Sequence, residues 1–235
     1  MGVGRLILWD VDGTLVRAGD IGATVFDQAL AAVVGRKPDE RISMSGKTDP
    51  QIVREYLALM GVTRTDEVVQ AVLRGVEGQL AAAAADGELL ETGWACAGVA
   101  DLLAALAGDE RVISSLLTGN VYPNALVKVG AFGLDRYLQL DVGAYGSDHH
   151  DRNELVPVAL RRLEAERGIR LSGEQVWIVG DTPRDLGCAR AAGARCLLVA
   201  TGRYRLDELD GLGADAALAD LADTGAVLEL LTAGL

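Results

Sequence analysis

The run Asp10-Val11-Asp12-Gly13-Thr14-Leu15 places two carboxylates two positions apart. At the end of a buried strand, carboxylates so spaced can share one cation or one reaction centre. An isolated Asp-x-Asp-Gly also makes an ordinary turn, with its carboxylates bonded to local amides. Position raises the specificity here, because the run directly follows the apolar stretch Leu6-Ile7-Leu8-Trp9. Thr118-Gly119-Asn120 ends a second apolar stretch, Val112 to Leu117. A hydroxyl, a flexible backbone and an amide at that place can donate to phosphate oxygens beside a helix N-terminus. The same residues are also common helix-entry residues. A third stretch, Val176 to Val179, leads into Gly180-Asp181-Thr182-Pro183-Arg184-Asp185. Asp181 is a natural hard-metal ligand at a strand end. Thr182, Pro183 and Asp185 fit N-cap, first turn and third helical position.

A phosphoryl-transfer site also needs a fixed cation. Arg152, in Gly146-Ser147-Asp148-His149-His150-Asp151-Arg152, precedes a helical pattern and is placed to reach the same sheet end. Lys128 is its rival, but it lies inside a helical pattern after Asn120 and is expected at the surface. His149 and His150 are adjacent, so joint metal ligation is not expected, and they read as a loop. Lys47 reads either as a substrate contact or as a solvated residue.

The elements that would position these groups follow from hydrophobic patterning. The three stretches above and Cys196 to Val199 read as strands buried on both faces, with weaker candidates at Leu138 to Val142 and Ala216 to Leu218. Helical stripes lie between them, which predicts an α/β class, a doubly wound parallel sheet. Between Arg17 and Asp86 no convincing strand is read. Three helical stripes begin near Ile21, near Asp49-Pro50 and near Val68, with Asp49 expected as an N-cap and Gly35 and Gly61 as stops. This predicts a core of residues 1–17 and 89–235 with a helical insertion over 18–88.

Composition bounds the rest. The 235 residues are half hydrophobic, enough for one packed domain with an insertion. A net charge of −12 opposes general nucleic-acid binding. Cys96, Cys188 and Cys196 have no paired spacing, and no segment is long enough to span a membrane. A cytoplasmic protein is expected, with oligomeric state left open. An anionic ligand on so acidic a chain would need a local device to hold it.

Taken in order, these motifs resemble the haloacid dehalogenase (HAD) superfamily, and within it the phosphoglycolate phosphatase-like members with a helical cap. The third motif departs from the commoner pattern, placing Arg152 where Lys is usual. The resemblance implies Asp10 as nucleophile and Asp12 as general acid and base. It implies Mg²⁺ held by Asp10, the carbonyl of Asp12, and Asp181. Thr118, Gly119, Asn120 and Arg152 would hold the phosphoryl oxygens, and Asp185 would orient the metal shell or cap its helix. Asp12 argues against the dehalogenases and the phosphonate-cleaving members, which lack an acid there. The implied activity is a Mg²⁺-dependent phosphatase acting on a small phosphorylated metabolite through an aspartyl-phosphate. A sugar-phosphate mutase on the same scaffold is the alternative. A phospho-accepting receiver would need a strand where Asp49 to Met60 read as helix.

Overall fold

The computed structural model describes residues 2–235. The chain begins with β1 (Arg5–Trp9) and β2 (Val16–Arg17), then α1 (Ile21–Val34), α2 (Asp49–Leu59), α3 (Asp66–Ala85) and α4 (Glu88–Thr92). It continues through β3 (Trp94–Ala95), α5 (Val99–Ala107), β4 (Val112–Leu116), α6 (Tyr122–Ala131) and α7 (Leu155–Arg167). The last part is β5 (Val176–Gly180), α8 (Pro183–Ala192), β6 (Arg195–Val199), α9 (Leu206–Asp210), β7 (Ala216–Leu218) and α10 (Thr224–Thr232).

Five strands form one parallel sheet in the order β4-β1-β5-β6-β7. Alternate side chains of β1 enter different cores. Ile7 and Trp9 pack with α5, α6 and α10, while Leu6 and Leu8 pack with α7 and α8. Burial on both faces explains the unbroken apolar runs. Register fixes the site. Trp9 lies level with Leu116 on one side and Val179 on the other. The residues that leave β1, β4 and β5 therefore emerge together at one edge.

The weak strand candidate at Leu138 to Val142 is not a strand. The 3₁₀ turn Leu140–Val142 lies within it, and another, Asp135–Tyr137, directly precedes it. Its alternating apolar residues are anchored in different clusters, Leu138 in one and Val142 in the other. Local bonds such as Val142 N–H to Gln139 O close the turn instead of a ladder. Gln139 N–H to Ser114 O and Ser115 Oγ to Gln139 O tie the stretch to β4, and an isolated bridge between Leu117 and Ala144 follows at β4's end.

Helices α1, α2 and α3 share an apolar cluster of their own, built on Phe26, Leu30, Val53, Leu57, Val72 and Val76. Gly75 on α3 faces Ala29 on α1, and a Cβ there would lie 2.9 Å from the alanine Cβ. Small residues thus set how closely the two helices approach. The antiparallel ribbon β2–β3 joins this helical unit to the sheet, pairing Arg17 with Trp94.

A second junction lies at the start of α2. The N-cap is Thr48 rather than Asp49. Thr48 Oγ1 accepts from Gln51 N–H and donates to His150 O at 2.8 Å. Asp49 is freed from capping by its own burial against α6. Its N–H donates to Gly119 O at 2.7 Å, and its Oδ2 accepts from Val121 N–H and Asn124 Nδ2. Gly119 is needed at this contact, since a Cβ would fall 2.0 Å from Lys47 O. The loop before α2 is therefore clamped onto the loop after β4.

Burial of Asp49 pushes its carboxyl up to about 6, against the lowering by Lys128 and by its hydrogen bonds to Val121 and Asn124. Its folded value thus exceeds the ordinary one, so the fold takes up a proton before the unfolded chain does. The Asp49 contribution to stability therefore falls as pH rises from about 4 to about 6 and stays lower above. Asp49→Asn keeps an acceptor and removes the charge. Its melting temperature, relative to wild type, should be more favourable at pH 8 than at pH 4.5. A pH-independent difference contradicts this.

Candidate active site

Asp10 follows β1, its N–H donating to Val179 O at 2.9 Å, and its side chain is buried. Asp181 follows β5 and Asp185 sits in the first turn of α8. One carboxylate oxygen from each of these three lies within 4.8 Å of the others. Arg152 is buried among them. Its Nη2 donates to Asp10 Oδ1 at 2.8 Å, to Asp185 Oδ1 at 2.5 Å and to Leu117 O at 3.2 Å. Like charges crowded out of water require such a counter-charge.

Asp185 also completes the capping box of α8. Its Oδ2 accepts from the N–H and hydroxyl of Thr182, at 3.0 and 2.7 Å. The expected capping role is thus filled by Oδ2, while Oδ1 accepts from Arg152.

Asp181 lacks that support. Its Oδ1 is buried and has no hydrogen-bond partner among the described residues. Burial raises its pKa, and the neighbouring carboxylates of Asp10 and Asp185 raise it further. Asp10 is raised by burial too, with Arg152 pulling the other way. Two glycines close around Asp181. Gly13, at φ +90°, would put a Cβ 2.5 Å from its Oδ2, and Gly202 would put one 1.6 Å away. An orphaned buried oxygen beside two further carboxylates is the donor set of a hard divalent cation such as Mg²⁺. The residues present fit that ion, and Asp12 brings a backbone carbonyl at the same strand end.

The Asp12 side chain stands outside this cluster and faces the cleft. It is held by Lys128, whose Nζ lies 2.7 Å from Oδ1 and 2.6 Å from Oδ2. Asn120 Nδ2 donates to Asp12 Oδ2 at 2.7 Å, and Asn120 Oδ1 accepts from Lys128 at 2.8 Å. The expectation that Lys128 sits at the surface is therefore corrected. It shares the inward face of α6 with Asn124 and Ala125, and only 7% of it is exposed. The two candidate cations serve different acids, Arg152 the buried pair and Lys128 the cleft-facing Asp12.

In the loop after β4, Thr118 is fully buried. Its Oγ1 accepts from Asn120 N–H at 3.2 Å and from Asn120 Nδ2 at 2.8 Å. The Thr118 hydroxyl proton is free to donate elsewhere. Asn120 is committed to Thr118 and Asp12, so among the described residues it acts on a neighbour's carboxylate. The motif residues Asp10, Asp12, Thr118, Gly119, Asn120, Arg152 and Asp181 all line a single cleft of about 530 Å³. The helical unit supplies Phe26, Met44, Ile52 and Lys47 to its other wall. Lys47 is paired with Glu55. His149 and His150 stack on each other outside the cleft, rings 4.7 Å apart, consistent with a loop role.

The sequence model of the HAD-hydrolase-like family matches residues 153–224, which include Gly180 to Asp185. Over that stretch the chain is similar to HAD-like hydrolases. Solved structures share its fold over nearly the whole length. CbbY from Rhodobacter sphaeroides, in complex with phosphate, is 21% identical with a TM-score of 0.72, over 94% of this chain and 96% of that one. A predicted phosphatase from Clostridium acetobutylicum is 15% identical at TM-score 0.72, over 97% and 100%. A predicted phosphoglycolate phosphatase from Haemophilus somnus is 19% identical at TM-score 0.65, over 96% and 97%. Comparison with curated protein sequences gives no significant match. No helix among the described residues is long and apolar enough to cross a membrane.

Sequence reasoning missed Asp49, Gly202 and the pairing of Lys128 with Asp12. A signal existed for Lys128, which is spaced with Asn124 and Ala125 on one helical face. None existed for Gly202, whose closeness to Asp181 arises only in the fold.

Removing Arg152 strands two buried carboxylates, whereas Asp12 loses Lys128 while its side chain is 45% exposed. Breaking a buried pair from one side costs about 3–5 kcal/mol, or roughly 5–20 °C in a domain of this size. Arg152→Met should therefore lower the melting temperature at pH 8 well beyond Lys128→Met. The opposite order contradicts the burial argument.

Proposed function

We propose that the chain is a divalent-cation-dependent phosphatase for a small phosphorylated metabolite, with Asp10 as nucleophile. The observation that carries this reading is Asp10 itself. Its Oδ1 is fixed by buried Arg152, and no hydrogen bond to Oδ2 is present among the described residues. A carboxylate so held is aimed with one lone-pair-bearing oxygen toward the cleft. The fold likeness to CbbY, solved in complex with phosphate, supports a phosphoryl ligand.

In this reading Asp10 Oδ2 forms a bond to phosphorus as the P–O bond to the leaving alcohol breaks. Asp12, as general acid, gives that alkoxide its proton. The resulting Asp12 carboxylate takes a proton from water, whose oxygen attacks the aspartyl-phosphate and returns Asp10 and inorganic phosphate. Lys128 and Asn120 hold Asp12 over the cleft. Thr118 Oγ1 and Gly119 N–H donate to the phosphoryl oxygens. Asp10, Asp181 and the carbonyl of Asp12 would hold Mg²⁺, with Asp185 steadying the shell through Arg152. The ion would supply neutralisation of phosphoryl charge among these carboxylates. Residues 18–88 act as a cap that walls the cleft and sets its substrate.

A sugar-phosphate mutase would use the same acids. Phosphate release from simple esters without a sugar bisphosphate activator separates the two.

In a phosphate-release assay, EDTA should stop turnover and Mg²⁺ restore it. Asp10→Asn should lower kcat at least 1,000-fold, on the order of a lost covalent nucleophile, with an unchanged circular dichroism spectrum. Normal turnover by that variant sinks the assignment. Indifference to chelation removes the metal from it.

A further inference from the structure

The cleft carries five basic side chains, and three are spoken for. Arg152 and Lys128 hold the site carboxylates, and Lys47 is paired with Glu55. Arg17 and Arg203 line the same cleft with no carboxylate partner among the described residues.

Both are fixed to the loop after β6. Arg17 ends β2 and donates through Nη1 to Thr201 O at 2.9 Å. Thr201 in turn donates its hydroxyl to Gly13 O at 2.6 Å, tying this loop to the Asp10–Asp12 turn. Arg203 follows Gly202, the residue pressed against Asp181, and donates through Nη1 to Ser43 Oγ at 3.1 Å. Arg203 thus bridges the sheet side and the helical side of the cleft. A guanidinium has five N–H donors. Each of these two spends one on a neutral oxygen, so the charge and most donors stay free. The planar fork suits a carboxylate or phosphate.

We propose that Arg17 and Arg203 form a second anion subsite, so that the substrate is a phosphomonoester with a further carboxylate or phosphate. The proposal rests on the phosphatase reading above. The phosphoryl group to be cleaved sits at Asp10, and the second anion is read at the rim of the same cleft. Asp20, also at the rim and without a side-chain hydrogen bond at the start of α1, is the group that would instead favour a cationic tail.

The test uses matched esters with the full-length protein and Mg²⁺. One pair is 3-phosphoglycerate against glycerol 3-phosphate, which differ by a carboxylate. A second is fructose 1,6-bisphosphate against fructose 6-phosphate, and phosphoethanolamine is the cationic arm. Wild type should favour the doubly anionic member of at least one pair tenfold or more in kcat/KM. The pair that shows it tells carboxylate from phosphate. Arg17→Gln and Arg203→Gln should each lower that ratio at least threefold, mainly through KM, and together bring it near one. Equal use of both members, a preference for phosphoethanolamine, or a ratio that survives both substitutions overturns the subsite. Calorimetric binding of the same pairs reads the subsite without turnover. If no ester is hydrolysed but the doubly anionic ligand still binds tighter and the arginine variants lose this, the phosphatase reading fails and the subsite stands. Equal binding in that case overturns both.

Discussion

Three carboxylates and one guanidinium share a dry corner at the end of a parallel sheet, and most of the surrounding design answers to that crowding. Asp10, Asp181 and Asp185 bring three potential negative charges, and Arg152 brings one positive. Arg152 satisfies Asp10 and Asp185, leaving Asp181 with a buried oxygen that has no hydrogen-bond partner among the described residues. Electrostatics at short range inside a protein is too strong for this to be a neutral detail. The imbalance points to a cation as the missing partner. It also explains why the nucleophile candidate is so well fixed, since the arginine that balances it also orients it.

The sheet makes this crowding available at little conformational cost. Parallel pairing puts Trp9, Leu116 and Val179 at one level, so each following loop starts at the same edge. Glycines then let those loops approach more closely than any side chain permits. Gly13 and Gly202 sit against Asp181, and Gly119 sits against the loop before α2. The last contact extends the site's geometry into the helical unit, where Asp49 reaches across to α6. A change in the helical unit's position would therefore be felt at Thr118 and Asn120, which share that loop.

Much of this was legible in the residues. The strand ends carrying Asp10, Thr118 and Asp181 stood out because a buried strand shows itself as an apolar run and the first polar residue after it must lie at the edge. The helical stripes of α1, α2 and α3 were readable for the same reason of period. What escaped was set by tertiary approach. Lys128 looked like a solvated lysine because a charge inside a helix is usually exposed, and its bonds to Asp12 and Asn120 make its burial tolerable. Leu138 to Val142 had a strand's alternation, yet its apolar residues are anchored in different cores and its backbone bonds close locally. Thr48 displaced Asp49 as the cap because Asp49 had a better-buried use.

The acidic composition takes on a local meaning. A chain of net charge −12 can still offer cations to an anion where its acids are not paired with them, and Arg17 and Arg203 at the cleft have no carboxylate partner among the described residues. The central claim is that the carboxylate corner is completed by a divalent ion. Isothermal titration of the metal-free protein with Mg²⁺ tests it most directly, alongside Asp181→Asn. Saturable binding of one ion per chain is expected, removed or weakened at least tenfold by the substitution. No saturable binding, or the same binding in both proteins, would contradict it.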